Sequence, residues 1–410
     1  MRAWNDSLRF ANIHCIIYNS FRSLFLKYGK RTTDPFFVGR KVRQGLNKKK
    51  TILMIHGTDY VSMTKALLEA ADIASEIPGP DAEVVLKPNL VTDSAPSQGA
   101  TTHPELLAGT IEYLKEHGFR NIVIMEGSWV GCITEYAFKV AGYAEICRKY
   151  NVPFVDLQKD TSREYDCAGM KIRICDRPMK ADYLINMPVL KGHCQTTVTC
   201  ALKNLKGIIP NSEKRRFHTM GLHKPIAHLS VKGKNSFVLV DNICGDLDFE
   251  EGGNPIQMDR ILGVWDPVLC DAFVCESMGY EVDDVPYIRM AEKLGVGSAD
   301  TKTAEIIRLN EPSVKSSRFR MTGRVKRLAQ FTAPADACSA CYGSLIHALN
   351  RMSEDGILGK HRTQVAIGQG YKGKSGEIGV GQCTSCFAKT LKGCPPKASE
   401  IRAFLEESWD

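Results

Sequence analysis

From Thr51 onward, short runs of β-branched and aliphatic residues alternate with longer stretches whose apolar positions recur every three or four residues. The short runs predict strands over 51–55, 83–86, 121–125, 154–157, 183–186 and 236–240. The longer ones predict helices over 61–75, 104–117 and 134–149, with Pro104 in a first turn, where its missing amide hydrogen costs nothing, and Gly118 as a terminator. Strands alternating with helices predict an α/β fold with a Rossmann-like, mostly parallel sheet core. The pattern weakens over 308–328, a stretch rich in Arg and Lys that predicts a surface linker, and resumes with helices around 342–352 and 398–407. Three parts are therefore expected: a basic amino-terminal extension over 1–50, an α/β core domain over 51–330, and a small cysteine-rich unit over 331–410.

With 43% hydrophobic and 24% charged residues, 410 residues can bury one large core or two moderate ones, and the composition is that of a folded globular protein. The most apolar early stretch, residues 13–25, is interrupted by His14, Asn19, Ser20 and Arg22, so no membrane span is expected. The formal charge of +8 is unevenly spread: twelve Lys/Arg against Asp6 and Asp34 put an excess of +10 into residues 1–50, which leaves about −2 for the rest. A nucleic-acid partner is thus not predicted for the folded part. The extension admits three readings: a transit-like segment, an arm, or a stretch belonging to no fold. A polar-interrupted apolar centre without a small-residue cleavage site argues against secretion, and a cytoplasmic setting is expected. In that reducing setting fifteen cysteines call for metal or cluster chemistry, not disulfides.

Five of those cysteines fall in the last unit: Cys338 and Cys341 as CxxC, Cys383 and Cys386 as a second CxxC, and Cys394 within Gly393-Cys394-Pro395-Pro396. A four-iron cubane needs four thiolates around one centre, and a CxxC turn supplies two while separate loops supply the others. The glycines over 367–381 would let the backbone approach such a centre closely. The competing readings are a tetrahedral zinc held by the two CxxC pairs and plain unmetallated thiols. The order CxxC, Cys, GCPP resembles the proximal-cluster site of the small subunits of nickel–iron hydrogenases and of the related subunit of respiratory complex I. That resemblance implies one 4Fe-4S cluster on Cys338, Cys341, Cys383 and Cys394, with Cys386 left over. The dispersed Cys132, Cys147, Cys167, Cys175, Cys244, Cys270 and Cys275 read as ordinary buried residues, whereas Cys194 is a candidate for facing a site.

Three predicted strands end in polar residues: Lys87-Pro88-Asn89, Glu126-Gly127-Ser128 and Asp241-Asn242. In an open α/β sheet ligands bind beyond the carboxyl ends of the strands, so these are site candidates, although each could simply cap the following helix. The longest polar motif runs from Asn186 through Lys191, His193, Lys203, Asn204 and Lys206 to Lys214, Arg215, Arg216 and His218. It predicts a loop and then a helix beginning near Thr196, which places Lys203 and Lys206 on one face. Lysines, a histidine and hydroxyls near a helix amino end suit a carboxylate or phosphate. Lysines gathered in a buried crevice also need compensation, for which Glu126 and Asp241 are the internal candidates. No Walker, GxGxxG or HExxH motif is present.

Leu86-Lys-Pro-Asn-Leu, Thr101-Thr-His-Pro-Glu, Glu126-Gly-Ser, Asn186-Met-Pro with Lys191-Gly-His and Ala201-Leu-Lys-Asn-Leu-Lys-Gly, Asp241-Asn and Trp265-Asp-Pro-Val with Asp271-Ala together resemble the domain-of-unknown-function 362 family. The resemblance runs over most of the chain from about residue 51 and implies the α/β fold and an association with iron–sulfur centres. A ferredoxin-type CxxCxxCxxxCP run is missing, so one cluster is implied. The leading expectation is an iron–sulfur oxidoreductase acting on a small anionic substrate and exchanging electrons with a redox protein partner. His193, Lys191 and Glu126 are the candidate catalytic residues, and Lys87, Asn89, Lys203, Asn204 and Lys206 the candidate substrate-binding ones. His193 suits proton transfer because an imidazole titrates near working pH. The alternatives are a non-redox iron–sulfur lyase or desulfurase, and a cluster-bearing sensor or binding protein without turnover.

Overall fold

The computed structural model describes residues 47–311, 324–359 and 363–409, all within one compact unit, Gly45–Asp410. Nearly all of the predicted extension and the middle of the predicted linker lie outside the described residues. In chain order the strands are β1 (Thr51–His56), β2 (Val84–Pro88), β3 (Ile122–Glu126), β4 (Phe154–Asp156), β5 (Ser162–Cys167), β6 (Met170–Cys175) and β7 (Tyr183–Met187). They continue as β8 (Lys191–His193), β9 (Thr197–Thr199), β10 (Phe237–Asp246), β11 (Pro255–Val264), β12 (Glu305–Arg308), β13 (Thr332–Pro334), β14 (Val365–Ile367), β15 (Ile378–Val380) and β16 (Lys389–Leu391).

The fold is α/β. Eight strands form the large sheet in the order β12-β1-β11-β10-β7-β2-β3-β4. Only β11 runs against both its neighbours; the other contacts are parallel. The central strands are buried along their whole length, as a sheet covered on both faces requires. Alternate residues point to opposite faces. Ile52, Val85, Val123, Leu184, Val238 and Leu262 join the main apolar cluster with residues of the helices His223–Ser230, Pro267–Ser277 and Pro286–Lys293. Beside the other helical pair, Tyr60–Ala71 and Pro104–Glu116, Gly109 permits the contact: a Cβ there would stand 2.7 Å from the Val61 carbonyl oxygen.

A second sheet, β13-β14-β15-β16, is parallel throughout. The helices Ser339–Glu354 and Ala398–Ser408 pack with it around Leu345, Leu349, Val365, Val380, Ile401 and Leu405. Phe249, from the loop after β10, enters the same cluster and joins the two sheets.

Several elements differ from their sequence expectation. The helix expected over 61–75 ends at Ala71, because Asp72 turns into the left-handed region (φ 55°), and a 3-10 turn, Ile73–Glu76, follows. The one expected over 134–149 is two, Thr134–Val140 and Tyr143–Tyr150, divided at Gly142 (φ 78°). Where a helix is expected from Thr196, β8 and β9 form a hairpin instead; Thr196, Thr197, Val198 and Thr199 are a β-favouring run, and Thr197 takes φ 66°. Helix begins only at Ala201–Asn204 and continues as a 3-10 turn, Leu205–Ile208. The expected linker is structured at both described ends, by β12 and by the helix Arg324–Ala329. Among the described residues no helix is long and apolar enough to cross a membrane.

Candidate functional site

Parallel β2, β3 and β7 deliver Lys87, Glu126 and Asn186 to the carboxyl end of the large sheet. Lys87 is fully buried and its ammonium meets Glu126, with a second contact to the Pro88 carbonyl at 3.2 Å. Burial pushes the Lys87 pKa down and the Glu126 pKa up, and each charge partly offsets the shift of the other. Removing one partner from such a pair leaves a buried charge alone, which is why the pair is kept whole. Lys214, from the helix Asn211–Met220, donates to the Gly127 and Ser128 carbonyls at 2.8 Å each, and burial takes its pKa down to about 8.

A second group lies around Glu250, in the loop between β10 and β11. Its carboxylate binds the Lys203 ammonium through Oε1 and His193 Nε2 through Oε2, the latter at 2.9 Å. Burial alone would raise the Glu250 pKa, but Lys203 and His193 hold it well below the usual carboxylate range. On His193, Nδ1 accepts the backbone N–H groups of Gln195 (3.0 Å) and Thr196 (3.1 Å), so the ring is the neutral tautomer that donates from Nε2 to Glu250. Burial, assisted by Lys203, takes its pKa down to about 4. The sequence-based picture of His193 as a group titrating near neutrality is therefore corrected: it is held as a fixed neutral donor.

Lys191 donates to the carbonyls of Ala100 (2.7 Å) and Glu250 (3.0 Å), and Lys206 contacts His218 Nε2 at 3.4 Å. Burial lowers both lysines to about 7. Among the described residues no carboxylate pairs with Lys191, Lys206 or Lys214, while Glu126 and Glu250 are engaged by Lys87 and Lys203. Asp241, expected to compensate lysines, instead bonds His103. Among the described residues the internal acids thus cover two of the five lysines, while Lys191 and Lys214 are held by backbone carbonyls and Lys206 lies against His218.

Amide groups line the same region. Asn204 donates to Asn186 Oδ1 at 2.7 Å, yet the buried Oδ1 atoms of Asn89 and Asn204 have no partner. An orphaned buried acceptor costs about 1–3 kcal/mol, so these two Oδ1 atoms are candidate acceptors for a donor from outside the chain. A cavity of about 30 Å³ is lined by His193, Cys194, His218, Glu250, Glu251 and His347.

That cavity borders the cysteine unit. Gly343 and His347 belong to the helix Ser339–Glu354, a Cβ on Gly343 would lie 3.5 Å from Cys194 Sγ, and Gln195 Nε2 donates to the Ala337 carbonyl at 2.9 Å. Cys338 occupies the N-cap position of this helix and Cys341 its first turn, where the positive end of the dipole favours thiolates. Cys383 follows β15 in the turn Gln382–Thr384, and Cys394 follows β16. All four are therefore presented beyond the carboxyl ends of parallel strands. Burial raises the Cys338 and Cys341 pKa values, Cys341 to about 12, and in both cases the fields of Cys383 and Cys394 add to the rise. Cys386 is exposed.

Thiol sulfur is a donor for iron and for zinc alike, so the chemistry of the donor set suits an iron–sulfur centre as well as a zinc ion. A single tetrahedral zinc draws its sulfurs to roughly 3.8 Å of one another, given Zn–S of about 2.3 Å. Among the described residues, the group of three ligating atoms within 4.8 Å of one another is Cys200, Cys270 and Asp271, not the carboxy-terminal cysteines. Glycine serves the geometry at Gly381 (φ 98°), where a Cβ would sit 4.0 Å from Cys341 Sγ. Sequence reasoning missed Glu250 and Glu251, although their signal was present as an acidic run ending in Gly252-Gly253 just beyond a strand.

An α/β protein with a polar crevice at its strand ends is the class that fold and site define. Residues 84–276, which include Lys87, Glu126, Lys191, His193, Lys203 and Glu250, match the family model described as Domain of unknown function (DUF362). The thylakoid-associated protein sll1697 of Synechocystis sp. is 26% identical over 268 residues, covering 60% of this chain and 80% of that protein. The lactate racemase apoprotein from Thermoanaerobacterium thermosaccharolyticum is similar in structure with a TM-score of 0.34 and 17% identity; the match covers 48% of this chain and spans about half of that one, 52%.

Proposed function

We propose that this chain is an iron–sulfur oxidoreductase in which Cys338, Cys341, Cys383 and Cys394 hold one 4Fe-4S cluster beside a crevice for a small anionic substrate. The observation that carries the reading is the adjacency of two strand-end sites: the helix that begins at Cys338 also lines the cavity containing His193 and Glu250. When bound, the cluster supplies or accepts single electrons. Lys206 and Lys191 attract the anionic group, Asn89 and Asn204 accept hydrogen bonds from its donors, and Glu250 fixes the orientation of Lys203 and His193. His193 donates one hydrogen bond from Nε2 and is not charged in doing so. A redox protein partner completes the electron path in this reading. Cytoplasmic placement also belongs to the proposal, and fractionation distinguishes it from the membrane association in the name of the Synechocystis relative.

The test is anaerobic purification with iron, acid-labile sulfide and electron paramagnetic resonance measurements, followed by titration of small carboxylates and phosphates into wild type and Lys206→Ala. The reading expects about four irons and four sulfides per chain and weaker anion binding in the variant. Zinc without sulfide would refute the cluster, and equal binding by both proteins would refute the anion crevice.

A further inference from the structure

One constellation at the strand ends has no part in the proposed reaction. Asp241, near the middle of β10, accepts His103 Nδ1 at 2.8 Å, and His103 Nε2 faces Cys244 Sγ at 3.7 Å. The residues come from separate segments: His103 precedes the helix Pro104–Glu116, and Cys244 follows an irregularity in the pairing of β10 with β11. Asp241 is itself fixed, by N–H groups of His103 (2.6 Å) and Ile243 (3.1 Å). Cys244 is buried beneath the turn Pro96–Gln98, its thiol donates to the Pro96 carbonyl at 3.6 Å, and Ser97 and Gln98 of that turn are exposed.

We propose that Cys244, His103 and Asp241 form a second reactive centre, in which a thiolate–imidazolium pair accepts acyl groups from activated acyl compounds such as thioesters or esters. A cysteine, a histidine and an orienting carboxylate in this order of contact are the elements of nucleophilic acyl transfer. Burial would disfavour a charged His103, but Asp241 overrides it and pushes the imidazole up to about 10, so the ring rests as a cation with one N–H on a carboxylate and the other on sulfur. The neighbouring groups do not compete for this cation: Tyr60 binds Asp259 and Gln257, and Arg260 binds Asn242.

In the step itself, Cys244 sulfur forms a bond to the acyl carbon, the bond from that carbon to the leaving group breaks, and His103 gives its proton to the leaving group. Water then attacks the thioester, returns a proton to His103, and releases the acid and the Cys244 thiolate. No oxidant or reductant is needed.

The experiment uses the full folded chain with iodoacetamide and p-nitrophenyl acetate as probes and maps adducts by peptide mass spectrometry. The expected result is labelling of Cys244 that persists at pH 6, where an ordinary thiol of pKa about 8.5 is almost wholly protonated. One acetyl group should appear on Cys244 with release of p-nitrophenolate, and Cys244→Ser should abolish that adduct. His103→Gln should slow labelling at pH 6 by about tenfold or more, the change in thiolate fraction for one pKa unit, and approach wild type above pH 9. An unlabelled Cys244, an ordinary thiol profile, or an acetylation pattern unchanged in Cys244→Ser would overturn the proposal. Should His103→Gln not fold, the wild-type pH profile and Cys244→Ser decide it alone.

Discussion

The two strand-end sites handle charge in opposite ways. At the large sheet, buried cations are assembled by the fold and largely satisfied within it, Lys87 by Glu126, Lys203 by Glu250, Lys191 and Lys214 by carbonyls. At the small sheet, burial and the fields of neighbouring cysteines raise the pKa values of Cys338 and Cys341, and Lys372 offsets the rise at Cys338 only in part. Among the described residues, Lys191, Lys206 and Lys214 of the first site meet no carboxylate. In the proposed reading, the second becomes favourable as a cluster of charges when an external positive centre joins it. A binding crevice can be built almost entirely from internal compensation, whereas a metal-cluster site is left uncompensated because the metal is the compensation.

The largest effect that would break this comparison is at the small sheet. Cys341→Ser should take iron and sulfide from about four each per chain to near zero, while Cys386→Ser keeps them; iron content and visible absorbance after anaerobic purification check both. Retention in Cys341→Ser, or loss only in Cys386→Ser, would reassign the ligands.

At the large sheet the sharpest test is Glu126→Gln, which leaves Lys87 buried without its carboxylate. Stability should fall by about 3–5 kcal/mol, read from urea unfolding at pH 7. A loss under about 1 kcal/mol would mean that Lys87 had been neutral beforehand and that the pair is not charged.

Lys206 should behave differently, since its ammonium has no carboxylate to abandon. Lys206→Ala is expected to change stability by under about 1 kcal/mol and to weaken carboxylate or phosphate binding about tenfold, measured by calorimetry. A large stability loss would place it among the structural lysines.

The smallest expected effect is in pH dependence. Lys206 and Lys191 have folded pKa values near 7, below the usual 10.5, so between those values the unfolded chain binds more protons and stability rises with pH across that window. Anion affinity should run the other way, greatest at or below pH 7 and declining above it as the folded lysines lose their protons. Affinity that is flat from pH 6 to 9 would show that these lysines do not carry the ligand.

Much of this was legible from residue order because it depends on local pattern. The short β-branched and aliphatic runs predicted β2, β3 and β7 with nearly their observed bounds, and strand-end positions picked out Lys87, Glu126 and Asp241 before any contact was known. Where the expectation failed, a local preference had been misread or a long-range partner decided. The hairpin at Lys191–His193 and Thr197–Thr199 displaced a helix at a β-branched run. The antiparallel β11 escaped notice because its outer half is polar and partly exposed, so the apolar run that marks a buried strand is absent there.

By itself, the sequence determined the α/β alternation, the cysteine spacing, and the concentration of lysine and amide groups beyond particular strands, since each follows from short-range periodicity or from residue identity. The tertiary structure alone decided which acid meets which base. Glu250 lies 57 positions from His193, and only the loop after β10 brings its carboxylate to Nε2. Asp241 went to His103 and not to a lysine, and His193 became a neutral donor because two backbone amides occupy its Nδ1. Burial, orientation and pairing set the charge of an ionisable side chain, and all three belong to the assembled fold.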